Sequence, residues 1–585
     1  MRLRFLVRTI ALVGVVGIVA AACSSSSPGP GASGSPTAKI VPGGKIVLGA
    51  EQWPECTNPI TSCAQASWAQ ETLFYPTLPR LMQLDVNGKF VPSPLLTGEG
   101  PSLANGGLTQ NPFSVTYHLN PKAVWEDKTP ITSEDVSFTL KALLNTTGTV
   151  TTSGYDKISA LDATDPATVK ITFKSVFVDW PDLFGGSTGF VLKKAAFPNE
   201  NSSDKPDLKN EFKDSIPFSG GPWKLTQWST QQAILVANRN FWDHQPILDQ
   251  VTFVPREDQP TELQAVVNGE VAAIYPQPSD QSLLTVFSAN PNVKSVSGTT
   301  TYDEALWLNL RDFPFSTKGV PQAFGFAVDR EDVVNTIIKR NNPQATVLNC
   351  GLIWYPSVQP WCDPNDPTTL PFSKYHYDPT TSLNMLKAIS GMDCTGVSTS
   401  SDTPCKLNGQ PLNLKYGTVS TNTRRTATEA LLKEKFKGTG FSITDASKPG
   451  TEIFGDPLIK GLDNVYDFAN SIGVDPSVTA VFACDQFPTA ANNFSGENDD
   501  FWCNQQADAL MKQSDQELDV TKRADDIHQI GQLEAQDVPA LPMYPFTTIT
   551  AWRADKISGP VGAWNSGVYG AFWNMDFWYC THPCP

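Results

Sequence analysis

The residues best suited to chemistry in this sequence are its cysteines. The chain has 11 cysteines, and all except Cys23 fall into five close pairs. Zinc sites draw on C-x₂-C pairs or on histidines at ligand spacing, and neither pattern occurs here. An even number of closely spaced cysteines is typical of local disulfide bonds in an oxidising compartment. We therefore predict no metal site and five disulfide bonds: Cys56–Cys63, Cys350–Cys362, Cys394–Cys405, Cys484–Cys503 and Cys580–Cys584.

Other side chains that commonly catalyse reactions are scattered along the chain. The five histidines form no HExxH motif, and the sequence contains no GxSxG elbow, P-loop or dinucleotide-binding glycine pattern. Adjacent side chains diverge on a strand or helix, so Asp499–Asp500 and Asp525–Asp526 are interpreted as solvated surface charge. We predict no enzymatic activity and no cofactor, with an extracellular hydrolase as the alternative.

Composition limits the partners and the number of domains. A chain of 585 residues is too long for one hydrophobic core and predicts two or three domains. Its net charge of −16 argues against nucleic acid as a partner, because nucleic-acid binders usually carry basic patches. A mean hydropathy of −0.22 excludes a protein with many membrane spans.

The N-terminus has the pattern of an export signal. Arginines precede an apolar run, Ile10–Ala22, that is too short to span a bilayer and is typical of a signal peptide. The run ends in three alanines followed by Cys23, which resembles a bacterial lipobox whose cysteine is lipidated. Cleavage after the alanines without lipidation is the alternative. The Ser, Gly and Pro of residues 24–38 predict a flexible tether.

The stretch Asn111–Leu144 predicts a strand, a turn and a capped helix. Four apolar residues alternate with polar ones, which indicates a half-buried strand: Phe113, Val115, Tyr117 and Leu119. Thr132 is a good N-cap, and Asp135 stands where the reciprocal acid of a capping box belongs.

The amino-acid sequence of this stretch resembles that of the peptide/nickel-type solute-binding proteins of ABC importers, known as family 5. Further segments resemble that family in its order along the chain: Ser219–Leu225 (SGGPWKL), Asn238–Trp242 (NRNFW), Pro246–Val251 (PILDQV), Gln264–Val271 (QAVVNGEV), Glu304–Leu310 (EALWLNL), Asp329–Val334 (DREDVV), Tyr377–Pro379 (YDP), Tyr466–Ala469 (YDFA) and Pro539–Pro545 (PALPMYP).

The resemblance implies an α/β fold with two lobes, like that of periplasmic binding proteins, and an additional subdomain in lobe one. The implied domains are a signal peptide (1–22), a lipid-anchored linker (23–42), lobe one (43–110), its extra subdomain (111–217), lobe one again (218–302), lobe two (303–545) and a return to lobe one (546–585).

The resemblance also implies a ligand cleft between the lobes. From their positions, we expect Glu51, Trp53 and Tyr75 of lobe one to face Asp475 and Trp573 across the ligand. In the peptide-binding members, an aspartate of lobe two holds the ammonium group. Ile472 occupies that place here, so Asp475 is the nearest carboxylate, with Asp485 as a further candidate. Asp475-Pro476 would serve equally well as a helix cap or turn.

The implied function is capture of oligopeptides or a similar small solute for an ABC importer. Permease and ATPase subunits would be its partners, and the monomeric protein would be held by a lipid at the outer face of the cytoplasmic membrane. The same fold also serves nickel complexes and oligosaccharides. A lipoprotein of this fold that acts in cell-envelope glycolipid assembly is the alternative outside transport.

Overall fold

The computed structural model describes residue 40 and residues 42–64, 70–85, 89–150, 152–186, 189–276, 282–351, 361–470, 478–492, 494, 496–563 and 569–585. Two long antiparallel strands, Val293–Leu308 and Ala540–Arg553, run through its centre. Nearly every residue of the second long strand is buried, because other strands or helices cover both faces. Their register shifts between Thr299 and Asp303, where the first long strand carries extra residues. Such a bulge bends a strand and increases its local twist.

The two long strands belong to one ten-stranded sheet. Its strands, in spatial order, are Ser442–Asp445, Asn413–Gly417, Val465–Asn470, Val293–Leu308, Ala540–Arg553, Ala273–Ile274, Lys45–Ala50, Gln250–Pro255, Ala233–Ala237 and Trp223–Trp228.

Hydrophobic packing divides this body into two lobes. One core unites buried residues from Ile46–Ala273 with those of Ile557–Cys580. Two further cores take their residues from Ala305 to Tyr544. The α/β, two-lobed fold predicted from the sequence is confirmed. We propose to keep 303 and 545 as the borders of lobe two, which the separation of these cores supports.

A second, four-stranded sheet has three strands within the predicted extra subdomain (111–217) and one strand just before it. Its order is Leu108–Gln110, Phe113–His118, Thr168–Phe173 and Ile158–Asp162. Along the chain, the helix Ser133–Asn145 comes after the strand Phe113–His118. The capping box between Thr132 and Asp135 forms as predicted. The Thr132 N–H donates to the Asp135 carboxylate at 2.9 Å. Local sequence therefore determines both elements.

The remaining strands have two or three residues each, and the remaining helices have 3 to 18 residues. The other strands are Met82–Leu84, Phe90–Pro92, Met392–Asp393, Lys406–Leu407, Gln410–Pro411, Ile557–Ser558 and Tyr579–Cys580. The other helices are Tyr75–Thr77, Trp180–Leu183, Gln259–Asn268, Leu283–Ser288, Val320–Ala327, Arg330–Thr336, Pro379–Lys387, Thr423–Lys435, Gly450–Ile453, Asp456–Ile459, Thr479–Phe482, Gln505–Ser514 and Val520–Asp537.

All five predicted disulfide bonds form. They join Cys56 to Cys63, Cys350 to Cys362, Cys394 to Cys405, Cys484 to Cys503 and Cys580 to Cys584. Each closes a loop of 4 to 19 residues. No helix in the described part of the chain is long and apolar enough to cross a membrane.

Candidate functional site

Strands of both lobes run toward the boundary between the lobes. Lys45–Ala50 and Gln250–Pro255 are parallel and run with Ala273–Ile274. Ala273–Ile274 is antiparallel to the second long strand, which runs from lobe two into lobe one. All three strands therefore run toward lobe two. Val465–Asn470 is antiparallel to the first long strand and therefore heads toward lobe one. Ligands of open α/β sheets bind outside the carboxyl ends of the strands. From this topology we infer that the candidate site is a groove where these strand ends meet.

Two predicted ligand residues, Glu51 and Trp53, lie on the lobe-one side of this groove. They follow the strand that ends at Ala50. The indole N–H of Trp53 donates to the Ser229 carbonyl at 3.0 Å, and the ring packs on the lobe-one core. Trp53 is thus held in one orientation with part of its ring exposed.

Glu51 approaches a second carboxyl group, that of Glu262. Glu262 lies in the helix Gln259–Asn268 and is 1% exposed. Burial and the negative charge of Glu51 raise the pKa of Glu262 well above its ordinary value. Glu262 therefore keeps its proton at neutral pH, and the pair presents negative charge through Glu51.

We expected Tyr75 and Trp573 to face each other across the groove, but they lie on the same side of it. Both pack in one aromatic cluster around Leu84 and Tyr569 in lobe one. The rings of Tyr75 and Tyr569 stack with their centres 4.2 Å apart. The tail of the chain returns to lobe one at this point, which puts Trp573 on the same side as Tyr75.

A buried arginine that sequence reasoning missed, Arg80, lies against this aromatic cluster. Its guanidinium is 5.2 Å from the centres of both the Tyr75 and Tyr569 rings. It donates to the Gly186 carbonyl at 2.6 Å, while its Nε and Nη2 atoms make no hydrogen bond to any residue that the structure describes. Burial lowers the pKa of Arg80. An arginine inside the apolar segment Leu78–Leu84 was the available signal.

The lobe-two side of the groove contains a buried charge network that the sequence did not reveal. Glu304 and Asp467 lie on neighbouring strands, two register positions apart and on the same face, and Arg424 and Arg425 lie in the first turn of the helix Thr423–Lys435. The Arg425 Nε donates to Glu304 at 2.6 Å, and the Arg424 Nη2 lies 2.9 Å from the same carboxylate. Arg424 also donates to the Tyr544 hydroxyl.

The two carboxyl groups of this network differ in protonation. Burial disfavours charge on Glu304, but Arg424 and Arg425 outweigh it and lower the pKa of Glu304 to about 2. Burial and the charge of Glu304 raise the pKa of Asp467 well above its ordinary value. Asp467 therefore holds a proton, which it shares with Glu304 through a hydrogen bond. These four groups together carry one net positive charge.

Two aspartates interpreted as surface charge are in fact buried. Asp500 is 1% exposed and Asp526 is 4% exposed. Burial raises the pKa of Asp500 well above its ordinary value. The prediction was wrong for these two residues, because adjacency in the sequence does not show which face of the local chain packs inward.

The structure describes one of the three remaining predicted residues, Asp485. Cys23 and Asp475 lie outside the described residues. Asp485 is exposed and accepts a hydrogen bond from the Gln486 side chain at 3.1 Å. Where the chain is described, no group of three or more His, Cys, Asp or Glu side chains is placed to hold a metal ion.

Comparison with known proteins agrees with this geometry. Residues 100–452 match the bacterial extracellular solute-binding proteins, family 5 Middle. The oligopeptide-binding protein AppA of Bacillus subtilis is 23% identical over 542 residues, which are 91% of each chain. The dipeptide-binding protein DppE of the same organism is 23% identical over 74% of this chain and 76% of its own.

Solved structures share the fold at low identity. The periplasmic EDTA-binding protein EppA has a TM-score of 0.78 at 17% identity, covering 92% of this chain and 97% of its own. AppA from Bacillus subtilis in complex with a nonapeptide has a TM-score of 0.75 at 20% identity, covering 93% and 100%. NikZ from Campylobacter jejuni in complex with Ni(L-His) has a TM-score of 0.74 at 18% identity, covering 92% and 100%.

Proposed function

Because this chain belongs to the bacterial extracellular solute-binding proteins of family 5, we propose that it captures oligopeptides in the groove between its lobes. It then delivers them to the permease of an ABC importer. Relatives named for oligopeptide and dipeptide binding support a peptide as the solute. Such receptors work by closing their lobes on the ligand, which requires that the ligand bind the closed state better than the open one.

The observation that carries the peptide assignment is the opposite charge on the two sides of the groove. The lobe-one side has the Glu51–Glu262 pair with its negative charge. The lobe-two side has the network of Glu304, Asp467 and the two arginines with its positive charge. A peptide is a zwitterion, so the potential of the first side attracts its ammonium group and the potential of the second side attracts its carboxylate. Complementary potentials orient a ligand as well as attract it.

Modified peptides test this orientation. Penta-alanine, its N-acetylated form and its C-amidated form would be titrated into the protein by calorimetry. We expect each modification to weaken binding at least about tenfold, because it removes one charge that the groove complements. In the Glu51→Gln variant, N-acetylation of the peptide should reduce affinity much less, since the carboxylate that attracts the peptide ammonium group is absent.

Glu55→Gln is the matched control, because Glu55 is an exposed acid four residues away in the same lobe. It should retain the full penalty of acetylation. The orientation is wrong if acetylation costs the same in Glu51→Gln as in the unmodified protein. The peptide assignment itself is wrong if no form of the peptide binds.

We also infer that Cys23 is lipidated and holds the protein at the outer face of the cytoplasmic membrane. The arginine-rich start, the short apolar run and the Ser/Gly/Pro tether support this anchor. A diacylglyceryl group and a flexible tether would leave the lobes free to close. Cys23→Ala should move the protein from the membrane fraction to the medium or leave it unprocessed. Normal processing together with normal membrane retention would contradict the anchor.

A further inference from the structure

The two lobes also meet outside the ten-stranded sheet that joins them. Here the predicted extra subdomain of lobe one (111–217) touches the end of the lobe-two helix Gln505–Ser514. The Val178 N–H donates to the Asp515 carbonyl at 3.0 Å. The Lys157 Nζ atom lies 3.5 Å from the Asp515 carboxylate, although the two residues are 358 positions apart in the sequence. Asp515 is therefore a point at which lobe two holds the subdomain.

Residues of lobe two fix the position of Asp515. Its N–H donates to the Met511 carbonyl at 3.0 Å in the last turn of the helix, and the Thr479 hydroxyl donates to its carboxylate at 2.8 Å. A carboxylate at the C-terminus of a helix is unfavourable, because the helix dipole places partial negative charge there. Helix formation therefore does not account for this acid, whereas the positive charge of Lys157 offsets its cost.

Lys157 is oriented by its own lobe. It ends the 3₁₀ turn Tyr155–Lys157, and its carbonyl accepts the Lys174 N–H at 2.9 Å. Its Nζ atom lies 4.6 Å from the centre of the Phe177 ring, which is buried in the lobe-one core. The Lys157 side chain is 36% exposed and that of Asp515 is 7% exposed, so solvent screens part of the ion pair.

An apolar contact accompanies the two polar ones. Leu518, three residues after Asp515, packs against the hydrophobic core of lobe one. Burial of apolar surface is favourable but has no direction, whereas a hydrogen bond and an ion pair fix how two surfaces meet. All three interactions end when the lobes move apart, so together they favour the arrangement in which the lobes touch.

We propose that Lys157, Val178, Asp515 and Leu518 form a latch that holds the lobes together after closure and sets how tightly a captured solute is retained. The latch adds its free energy to the closed state alone, so the apparent affinity for a solute changes with the strength of the latch. Its role in retention rests on the proposed function, whereas the contact between the lobes needs no solute.

Two variants of unequal effect test the latch. Penta-alanine and its C-amidated form would be titrated into each protein by calorimetry. Lys157→Met removes the charge and keeps an apolar stem on Phe177, so we expect the Kd to rise about threefold. Adding Leu518→Ala should increase the rise to about tenfold, because apolar burial is lost as well. Both peptides should lose affinity by the same factor, since the latch touches neither of them.

Lys141→Met is the matched control. Lys141 lies in the same subdomain, and its ion pair is with Asp204, which also belongs to that subdomain. This variant should bind both peptides as the unmodified protein does. The latch is wrong if the double variant keeps full affinity, or if Lys141→Met weakens binding as much as Lys157→Met.

Small-angle X-ray scattering without peptide separates failure of the latch from failure of the proposed function. The double variant Lys157→Met/Leu518→Ala should have a larger radius of gyration than the unmodified protein, because its lobes separate more readily. If no peptide binds to any of the proteins, the proposed function fails. In that case a larger radius would still support the latch, and an unchanged radius would overturn it.

Discussion

The double variant Glu304→Gln/Asp467→Asn is expected to lower the free energy of unfolding of lobe two by about 3–5 kcal/mol, because it leaves two buried guanidinium groups without an anion. Arg424 is 1% exposed and Arg425 is 7% exposed, so water cannot replace the lost charge. Glu304→Gln alone should cost less than the double variant, since Asp467 can then release its proton and supply part of the missing charge. Calorimetric and urea unfolding at pH 7 would measure both changes.

Asp467→Asn alone separates the charge effect from a packing effect. The protonated carboxyl is replaced by an amide of the same shape that can donate the same hydrogen bond, so the cost should not exceed about 1 kcal/mol. Asp204→Asn, at a 97% exposed side chain paired with Lys141, should leave stability unchanged. If Asp467→Asn proved as costly as Glu304→Gln, the assignment of the proton to Asp467 would be wrong.

Reduction of the five disulfide bonds is expected to lower the melting temperature by more than about 10 °C, because each closed loop contributes roughly 2–3 kcal/mol. Lobe two contains three of the bridges, so its transition should fall further than that of lobe one. Below the new melting temperature, binding and lobe closure should persist, since each of the five bridges joins residues of the same lobe.

Loop length provides an internal comparison for this prediction. The double variant Cys484→Ser/Cys503→Ser opens a loop with a sequence separation of 19, whereas Cys580→Ser/Cys584→Ser opens one of only 4. The first pair should therefore cost more stability than the second. Loss of ligand binding well below the melting temperature of the reduced protein would show that the bridges also control closure.

Local patterns predicted local structure well in this chain. Alternation of apolar residues predicted the strand Phe113–His118, and capping chemistry predicted the start of the helix Ser133–Asn145. Close spacing predicted all five disulfide bonds, because short loops are favoured closures. Each of these features depends on residues a few positions apart, so a single sequence contains the necessary information.

Long-range contacts could not be predicted in the same way. In the sequence, Glu304 is a single charged residue in the apolar segment Glu304–Leu308. Its partners Arg424 and Arg425 come about 120 residues later. Trp573 was expected opposite Tyr75 because nothing local shows that the tail packs beside Tyr569.

The most direct test of the account is the identity of what the groove holds. The protein would be incubated with a mixture of synthetic peptides of two to nine residues, separated from unbound peptide by gel filtration and analysed by native mass spectrometry. We predict a one-to-one complex between the protein and a peptide of the mixture. Retention of no peptide from the mixture, by protein that is folded and free of other ligands, would contradict it.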